Sequence, residues 1–219
     1  MSTRRRAVVS GAVVLVALAL VGALAAWTER ESGPRGTNSG AAAAVVAADT
    51  RFLDRPGDAE VTVVEFIDFE CEVCRAFYPE VERLREQYGD RVAFALRYFP
   101  MPGHSNSVPA ALAVEAAAQQ DHLEEMYRML LERQDAWGES GDVDRAPLFR
   151  EYAAELGLDM AAYDAAVGDD ATVLRVAADF ETGRALGVDG TPTFFVDGEP
   201  VELASYGDLE RAIAAALHD

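Results

Sequence analysis

Residues 61–75 read VTVVEFIDFECEVCR, and this stretch decides the fold of the chain. The segment 61–69 is rich in β-branched and aromatic residues, which is typical of a buried strand. Two cysteines follow directly as Cys71 and Cys74, and apolar residues then recur at helical spacing until Gly89. The sequence therefore predicts a strand, a C-x-x-C pair and a helix in immediate succession.

Cys71 and Cys74 are the only cysteines among the 219 residues. A disulfide between them closes so small a loop that it would constrain the unfolded chain very little, which disfavours a purely structural bridge. A cysteine at a helix start receives unpaired backbone N–H groups and the positive end of the helix dipole, and both stabilise a thiolate. We therefore predict that Cys71 attacks disulfides and that Cys74 resolves the mixed disulfide.

Two metal-binding alternatives compete with redox chemistry for the cysteine pair. A zinc site needs two further ligands, and the three histidines, His104, His122 and His218, lack the spacing of a zinc motif. Two thiolates and one histidine would suit copper, so a copper-chaperone role stays open as a binding function. His104 is interpreted as a capping or packing residue, with a role at the rim of the site or as a metal ligand as the alternative. No metal is predicted.

The rest of the chain alternates between strand and helix patterns. The predicted elements are a helix over 75–88, a strand over 92–99, a mostly helical block over 105–186, strands over 193–196 and 200–203, and a helix over about 206–217. Asp197 and Gly198 form a predicted tight turn between the last two strands, and Ser205 is expected to cap the last helix. This order predicts an α/β fold with a helical block between two sets of strands.

An F-x-C-x-x-C motif after a strand, combined with GTPTFF at 190–195, resembles the DsbA-like branch of the thioredoxin superfamily. The stretch VVEFIDFEC at 63–71 also resembles that family's strand and active-site entry. The resemblance covers about residues 52–217. It implies a thioredoxin-like α/β fold with an inserted helical subdomain at about 105–186, within a domain that spans 51–219.

The resemblance implies roles for three further residues. Pro192 would follow a cis peptide bond and lie against the active-site disulfide, and Thr191 would offer backbone groups to an extended substrate peptide. Glu65 would exchange protons with Cys74. The position of Glu65 in an apolar strand points the same way, because burial of a carboxyl group is costly and raises its pKa. A carboxylate turned to solvent on a bent strand is the alternative.

The residues around the cysteines depart from the usual pattern of that family. Glu72 and Val73 stand between the cysteines in place of a pair that contains proline or histidine, and Glu70 precedes Cys71. Negative charge beside Cys71 opposes thiolate formation. We expect Glu70, Glu72 and Val73 to tune the redox potential towards that of a weaker oxidant.

Residues 1–27 are predicted to form a single membrane-spanning signal anchor. Three arginines precede an uncharged apolar run over 7–26, which as a helix would be about 30 Å long, the thickness of a bilayer core. The positive-inside rule places the remainder outside the cytoplasm, in an oxidising compartment. Cleavage of the segment as a signal peptide, which would give a secreted protein, is the alternative. Residues 28–50 read as a flexible linker.

The charge balance narrows the class of partner. The formal net charge is −19, and every basic residue other than histidine is arginine. A strongly acidic surface repels phosphate backbones, so nucleic acid is not expected as a partner.

These features predict an extracytoplasmic thiol–disulfide oxidoreductase that uses no bound cofactor. The leading hypothesis is an oxidase that donates the Cys71–Cys74 disulfide to the thiols of exported proteins. The family resemblance implies re-oxidation by a membrane partner linked to quinone. The nearest alternative is a reductase or isomerase that uses the same residues, for example in cytochrome maturation.

Overall fold

A five-stranded mixed sheet forms the centre of the computed structural model, which describes residues 45–138, 141 and 143–218. The strands are β1 (Arg51–Asp54), β2 (Val61–Ile67), β3 (Val92–Tyr98), β4 (Thr193–Val196) and β5 (Glu199–Pro200). Their order across the sheet is β1-β3-β2-β4-β5. β2 and β3 run parallel, and the other three pairs of neighbours are antiparallel. The central strand β2 leads directly to the cysteines.

Helices cover the sheet and build a separate layer beyond it. They are α1 (Glu72–Tyr88), α2 (Ser107–Ala118), α3 (Leu123–Glu132), α4 (Ala146–Glu155), α5 (Met160–Val167), α6 (Asp170–Ala185) and α7 (Gly207–Ala216). A 3₁₀ turn at Gln134–Ala136 follows α3. The five helices α2–α6 lie between β3 and β4, so the predicted α/β fold with an inserted helical block is confirmed.

Strand β2 is apolar at almost every position because helices cover both faces of the sheet. Val63 belongs to an apolar cluster that contains Phe77 of α1. Phe66 belongs to the cluster on the opposite face, against which Phe180 of α6 packs. Since side chains alternate along a strand, Glu65 lies on the same face as Val63, towards α1.

The helical insertion has its own core, which continues to the end of β2. Trp137 is fully buried, its ring edge meets Phe149 at a centroid distance of 4.8 Å, and its Nε1–H donates to the Leu130 carbonyl at 3.1 Å. The same cluster includes Phe69 and Cys74. The insertion therefore packs directly against the segment that carries the cysteines.

Several boundaries differ from the sequence prediction. Helix α1 begins at Glu72 rather than at residue 75, because Cys71 occupies its N-cap position. The predicted strand over 200–203 is reduced to β5, where Pro200 cannot donate to a ladder. The predicted Ser205 cap is wrong: the Asp208 carboxylate binds the Ser205 N–H and hydroxyl, and Ser205 does not cap α7 by its side chain.

The turn between β4 and β5 has the predicted form. Asp197 and Gly198 both have positive φ, 49° and 86°, as a two-residue hairpin turn requires. The Asp197 side chain also accepts the Thr62 N–H at 2.8 Å, which ties the turn to the central strand.

The predicted membrane anchor at 1–27 and most of the predicted linker at 28–50 lie outside the described residues. Within the part of the chain that the structure describes, no helix combines the length and the apolar character that crossing a bilayer requires.

Candidate active site

The two cysteines lie where β2 gives way to α1. Cys71 is the N-cap residue of α1, with extended backbone angles, and its N–H donates to the Asp68 carbonyl at 3.2 Å. Cys74 lies in the first turn of the helix and faces the core. Both are free thiols, with 7 % of Cys71 and 1 % of Cys74 exposed. Cys71 is therefore the cysteine that solvent and substrates can reach.

The two thiols have opposite proton affinities. The hydrogen bond with Cys74 is the largest cause that lowers the pKa of Cys71 to about 6; burial opposes it, while Thr191 and the backbone N–H groups of Val73 and Cys74 act in the same direction. Burial raises the pKa of Cys74 well above its usual value, and the hydrogen bond with Cys71 adds to this. At neutral pH the pair is thus an outer thiolate and an inner thiol.

The segment before β4 reaches over the cysteines from the far end of the chain. The Thr191–Pro192 peptide bond is cis, as the family resemblance implied. The Cys71 thiol lies 3.4 Å from the Thr191 carbonyl oxygen, to which it can donate. The Thr193 hydroxyl donates to the Gly190 carbonyl at 2.7 Å and holds the bend before the strand. The predicted substrate-binding residues and the predicted nucleophile therefore lie side by side.

Glu65 lies beneath the cysteines with 4 % of its surface exposed, so the structure does not place it in solvent. Burial raises its pKa to about 8, and the negative charges of Glu82 and of the Cys71 thiolate act in the same direction. Glu65 in turn contributes to the raised pKa of Cys74. Its carboxyl group is therefore protonated at neutral pH and lies within electrostatic range of the inner thiol.

Asp68 is a central polar residue of the site that the sequence did not single out. Its buried carboxylate accepts the N–H groups of Glu70 at 2.9 Å and Met101 at 3.0 Å, the Ser107 hydroxyl at 2.6 Å, and Nδ1 of His104 at 2.6 Å. These partners come from the cysteine loop, the segment after β3 and the start of α2. Asp68 thus ties three segments together below Cys71.

His104 binds the buried Asp68 carboxylate through Nδ1. Burial disfavours its charged form, but the hydrogen bond and the charge of Asp68, followed by the charges of Glu70 and Cys71, raise its pKa overall. About a third of its side chain is exposed. The N-cap position of α2 belongs to Asn106, so His104 does not cap that helix.

The three residues predicted to tune the redox potential lie in different environments. Glu70 is buried and its carboxylate accepts the Asn106 N–H at the start of α2 at 2.6 Å. Glu72 is exposed in the first turn of α1, and Val73 is 51 % exposed beside the cysteines. The opposition of Glu70 and Glu72 to the Cys71 thiolate stays a prediction.

A second residue that sequence reasoning missed is Gln134, in the 3₁₀ turn of the insertion. Its side-chain amide donates to the Phe69 carbonyl at 2.6 Å and to the Cys71 carbonyl at 3.0 Å. No pattern in the sequence marks it, because its partners lie more than 60 residues away. Asp68 carried a weak signal as a charged residue in an apolar run.

The described residues contain no group of three or more His, Cys, Asp or Glu side chains arranged to hold a metal ion.

Comparison with known proteins places the chain in a family. A family model described as Thioredoxin matches residues 56–215. The chain belongs to the thioredoxin family. The match covers β2, the cysteines, the whole helical insertion and the segment around Pro192, so every residue of the candidate site lies within it.

Solved structures of this family share the fold, and the similarity to the DsbA-like branch is confirmed. A thioredoxin-like oxidoreductase from Silicibacter pomeroyi DSS-3 is 28 % identical with a TM-score of 0.66, over 79 % of this chain and 95 % of that chain. BdbD from Bacillus subtilis is 22 % identical with a TM-score of 0.66, and the match covers 78 % of this chain and 94 % of that chain. Alpha-DsbA1 from Wolbachia pipientis is 19 % identical with a TM-score of 0.65, and the match covers 80 % of this chain and 92 % of that chain. The predicted enzyme class, a thiol–disulfide oxidoreductase, is supported.

The curated relatives are much longer proteins. The Na(+)/H(+) antiporter NhaA of Herminiimonas arsenicoxydans is 37 % identical over 162 residues, which cover 74 % of this chain and 24 % of that protein. The chain thus spans about a quarter of the length of the curated relatives it matches.

Proposed function

We propose that this chain catalyses disulfide formation in exported proteins through a reversible Cys71–Cys74 disulfide. The observation that carries the proposal is the difference in proton affinity between the two thiols: the pKa of Cys71 is lowered to about 6, and that of Cys74 is raised. A thiolate that is stable at neutral pH is a good leaving group, so a client can displace it. The lowered pKa of Cys71 therefore favours transfer of the disulfide to a client protein.

The proposed reaction has two exchange steps. A client thiolate attacks Sγ of Cys71 in the oxidised enzyme, the Cys71–Cys74 bond breaks, and a client–Cys71 mixed disulfide forms. Cys74 leaves as a thiolate and takes a proton. A second client thiolate then attacks the client sulfur, and Cys71 leaves as a thiolate. The client loses two electrons, and the enzyme gains them as a dithiol.

Glu65 supplies the proton that Cys74 needs in this scheme. An inner thiol with a raised pKa is a poor leaving group unless it is protonated as the bond breaks. The pKa of Glu65, about 8, keeps its carboxyl group protonated at neutral pH and able to donate. Support for this role comes from its burial on the α1 face of β2, beneath the cysteines.

Thr191 and Pro192 are proposed to position the client. The Thr191 carbonyl lies 3.4 Å from the Cys71 sulfur, so a client cysteine bonded to that sulfur would bring its own backbone beside Thr191. Backbone groups of an extended segment can pair with a peptide of any sequence, which suits an enzyme with many clients.

We also propose that the domain works outside the cytoplasm, held by residues 1–27 as a membrane anchor and re-oxidised by a membrane partner linked to quinone. The similarity to part of an Na(+)/H(+) antiporter supports a position near a membrane. The mass of the protein recovered from cells tests the anchor. Loss of the residues up to about Ala25 would replace the anchor with a cleaved signal.

The equilibrium redox potential of the Cys71–Cys74 pair separates oxidase from reductase or isomerase. We expect a value above that of thioredoxin, because the Cys71 thiolate stabilises the reduced form. A potential near or below about −250 mV would discard the oxidase proposal in favour of the reductase. The copper alternative instead predicts stoichiometric Cu(I) retention that His104→Ala abolishes, without acceleration of disulfide formation in a reduced test protein.

A further inference from the structure

Gln134 of the helical insertion holds the turn that carries Cys71. A side-chain amide nitrogen has two hydrogens, and here one points at the Phe69 carbonyl at 2.6 Å and the other at the Cys71 carbonyl at 3.0 Å. Both bonds are buried, and 3 % of Gln134 is exposed. A single amide group therefore spans the turn from Phe69, the second residue after β2, to Cys71 at the N-cap of α1.

The position of Gln134 is itself tightly determined. Its carbonyl accepts the N–H groups of Trp137 at 3.0 Å and Gly138 at 2.6 Å, and Trp137 is fully buried in the insertion. A side chain at Gly138 would bring its Cβ to 3.1 Å from Cγ of Gln134, so the turn closes directly over the glutamine. The backbone that carries the amide is thus held by hydrogen bonds within its own turn.

A second contact joins the same two segments at the surface. Arg75, in the first turn of α1, forms an ion pair with Asp135, the neighbour of Gln134. Both side chains are well exposed to solvent, so this pair contributes little to stability. The buried amide is the contact that determines the geometry.

The Cys71 carbonyl accepts a second hydrogen bond, from the Arg75 N–H at 3.2 Å, which is the first hydrogen bond of α1. Its orientation therefore sets the direction of the helix start, whose N–H groups at Val73 and Cys74 stabilise the Cys71 thiolate. The amide hydrogens of Gln134 also bring partial positive charge to the turn and offset the negative ends of two carbonyl dipoles close to the sulfur.

We propose that Gln134 is a positioning residue for Cys71, so that the helical insertion helps to set the proton affinity and the redox potential of the pair. The inference deepens the proposed function and rests on the role of Cys71 as the reacting thiolate. Loss of the amide should raise the proton affinity of Cys71 about threefold to tenfold, the range expected when one or two hydrogen bonds near a charged group are lost. The potential should become more negative, because the reduced form loses stabilisation.

The test is titration of the Cys71 thiolate by its ultraviolet absorbance in the wild type, Gln134→Met and a control, Gln119→Leu. Methionine keeps the unbranched shape without the donors. Gln119 lies in the same insertion, where its amide donates to the Thr172 hydroxyl at 3.0 Å, so its loss should affect only stability. We expect a higher Cys71 pKa and a more negative potential for Gln134→Met alone.

A further variant keeps the inference testable if Gln134→Met does not fold. Gln134→Glu preserves the size, and its carboxyl group can donate only one hydrogen bond when protonated and none when ionised. We expect its Cys71 proton affinity to exceed that of the wild type by a factor that grows with pH. Wild-type titration curves in both folded variants would overturn the role of Gln134. A wild-type Cys71 that titrates as an ordinary thiol would instead overturn the proposed function.

Discussion

Cys71 and Thr191 are 120 residues apart in the chain, and the sulfur of one lies 3.4 Å from the carbonyl oxygen of the other. The contact exists because β4 pairs with β2 and so begins beside the point where β2 ends. The bend before β4 and the cysteine helix therefore meet at one end of the sheet. The chemistry proposed for the pair depends on this meeting.

The first prediction concerns the reactivity of Cys71. Because its pKa is about 6, its attack on a small disulfide should accelerate as the pH rises through 6 and level off above about 7. Cys71→Ser should abolish the reaction, whereas Cys74→Ser should accumulate the mixed disulfide. Stopped-flow measurements across pH give the midpoint; a midpoint near 9, the value of an ordinary thiol, would contradict a stabilised thiolate.

A second prediction concerns proton transfer by Glu65. Glu65→Gln should slow the release of Cys74 roughly tenfold to a hundredfold, because glutamine cannot give up a proton to the inner sulfur. The second exchange, in which Cys71 leaves the mixed disulfide, should change much less. Single-turnover kinetics that starts from the oxidised enzyme measures the step in which Cys74 leaves, and a preformed client–Cys71 mixed disulfide measures the second exchange. Glu86→Gln, on the exposed face of α1, serves as the control. Equal slowing of both steps would remove the proposed role.

The same carboxyl group should make stability depend on pH. The pKa of Glu65 is 4.5 as its ordinary value and about 8 in the folded chain, so between these values the unfolded state binds fewer protons. The free energy of unfolding therefore falls as the pH rises from 4.5 to 8. Glu65→Gln should remove this component and raise stability at pH 7 by roughly 1 to 3 kcal/mol. Urea unfolding at pH 5 and pH 7 measures it; parallel losses in both proteins would contradict a buried acid.

Asp68 should be among the residues most sensitive to substitution. Asp68→Ala leaves four hydrogen-bonding groups without their acceptor, and the loss should lower the free energy of unfolding by about 3 kcal/mol or more. Ser107→Ala removes one of the four partners and should cost about 1 kcal/mol. Chemical denaturation of both variants compares their free energies of unfolding with that of the wild type. Similar values for the two variants would show that Asp68 does not join the three segments.

Gly183 of α6 should tolerate no side chain. A Cβ there would lie 2.7 Å from a ring carbon of Phe99 and 2.9 Å from one of Phe66, both buried. Gly183→Ala should therefore destabilise the fold by about 1 to 3 kcal/mol, although alanine favours helices. Gly57→Ala is the control, because an added Cβ there would lie within 4 Å of no atom beyond the two adjacent residues, and it should change stability by less than about 0.5 kcal/mol. Thermal unfolding of both variants measures the two changes in stability, and equal changes would contradict the close contact at Gly183.

Sequence reasoning performed best where a local pattern has one structural solution. The run at 61–69 could be assigned to a buried strand from its residue types alone, and the turn at Asp197 and Gly198 from its dipeptide. Prediction from the sequence failed where contacts between distant segments determine the secondary structure. Strand β1 went unpredicted because four half-buried residues carry little pattern, and their pairing with β3 defines the strand.

The amino-acid sequence by itself determined the strand, the paired cysteines and the helix that follows, because hydrophobic periodicity and the N-terminus of a helix act over a few residues. Only the tertiary structure decided that Asp68 and Gln134 hold the cysteine turn, since their partners lie tens of residues away in the chain. Hydrogen bonds of this kind depend on side-chain position in space. Such positions are set when the insertion packs against the end of β2.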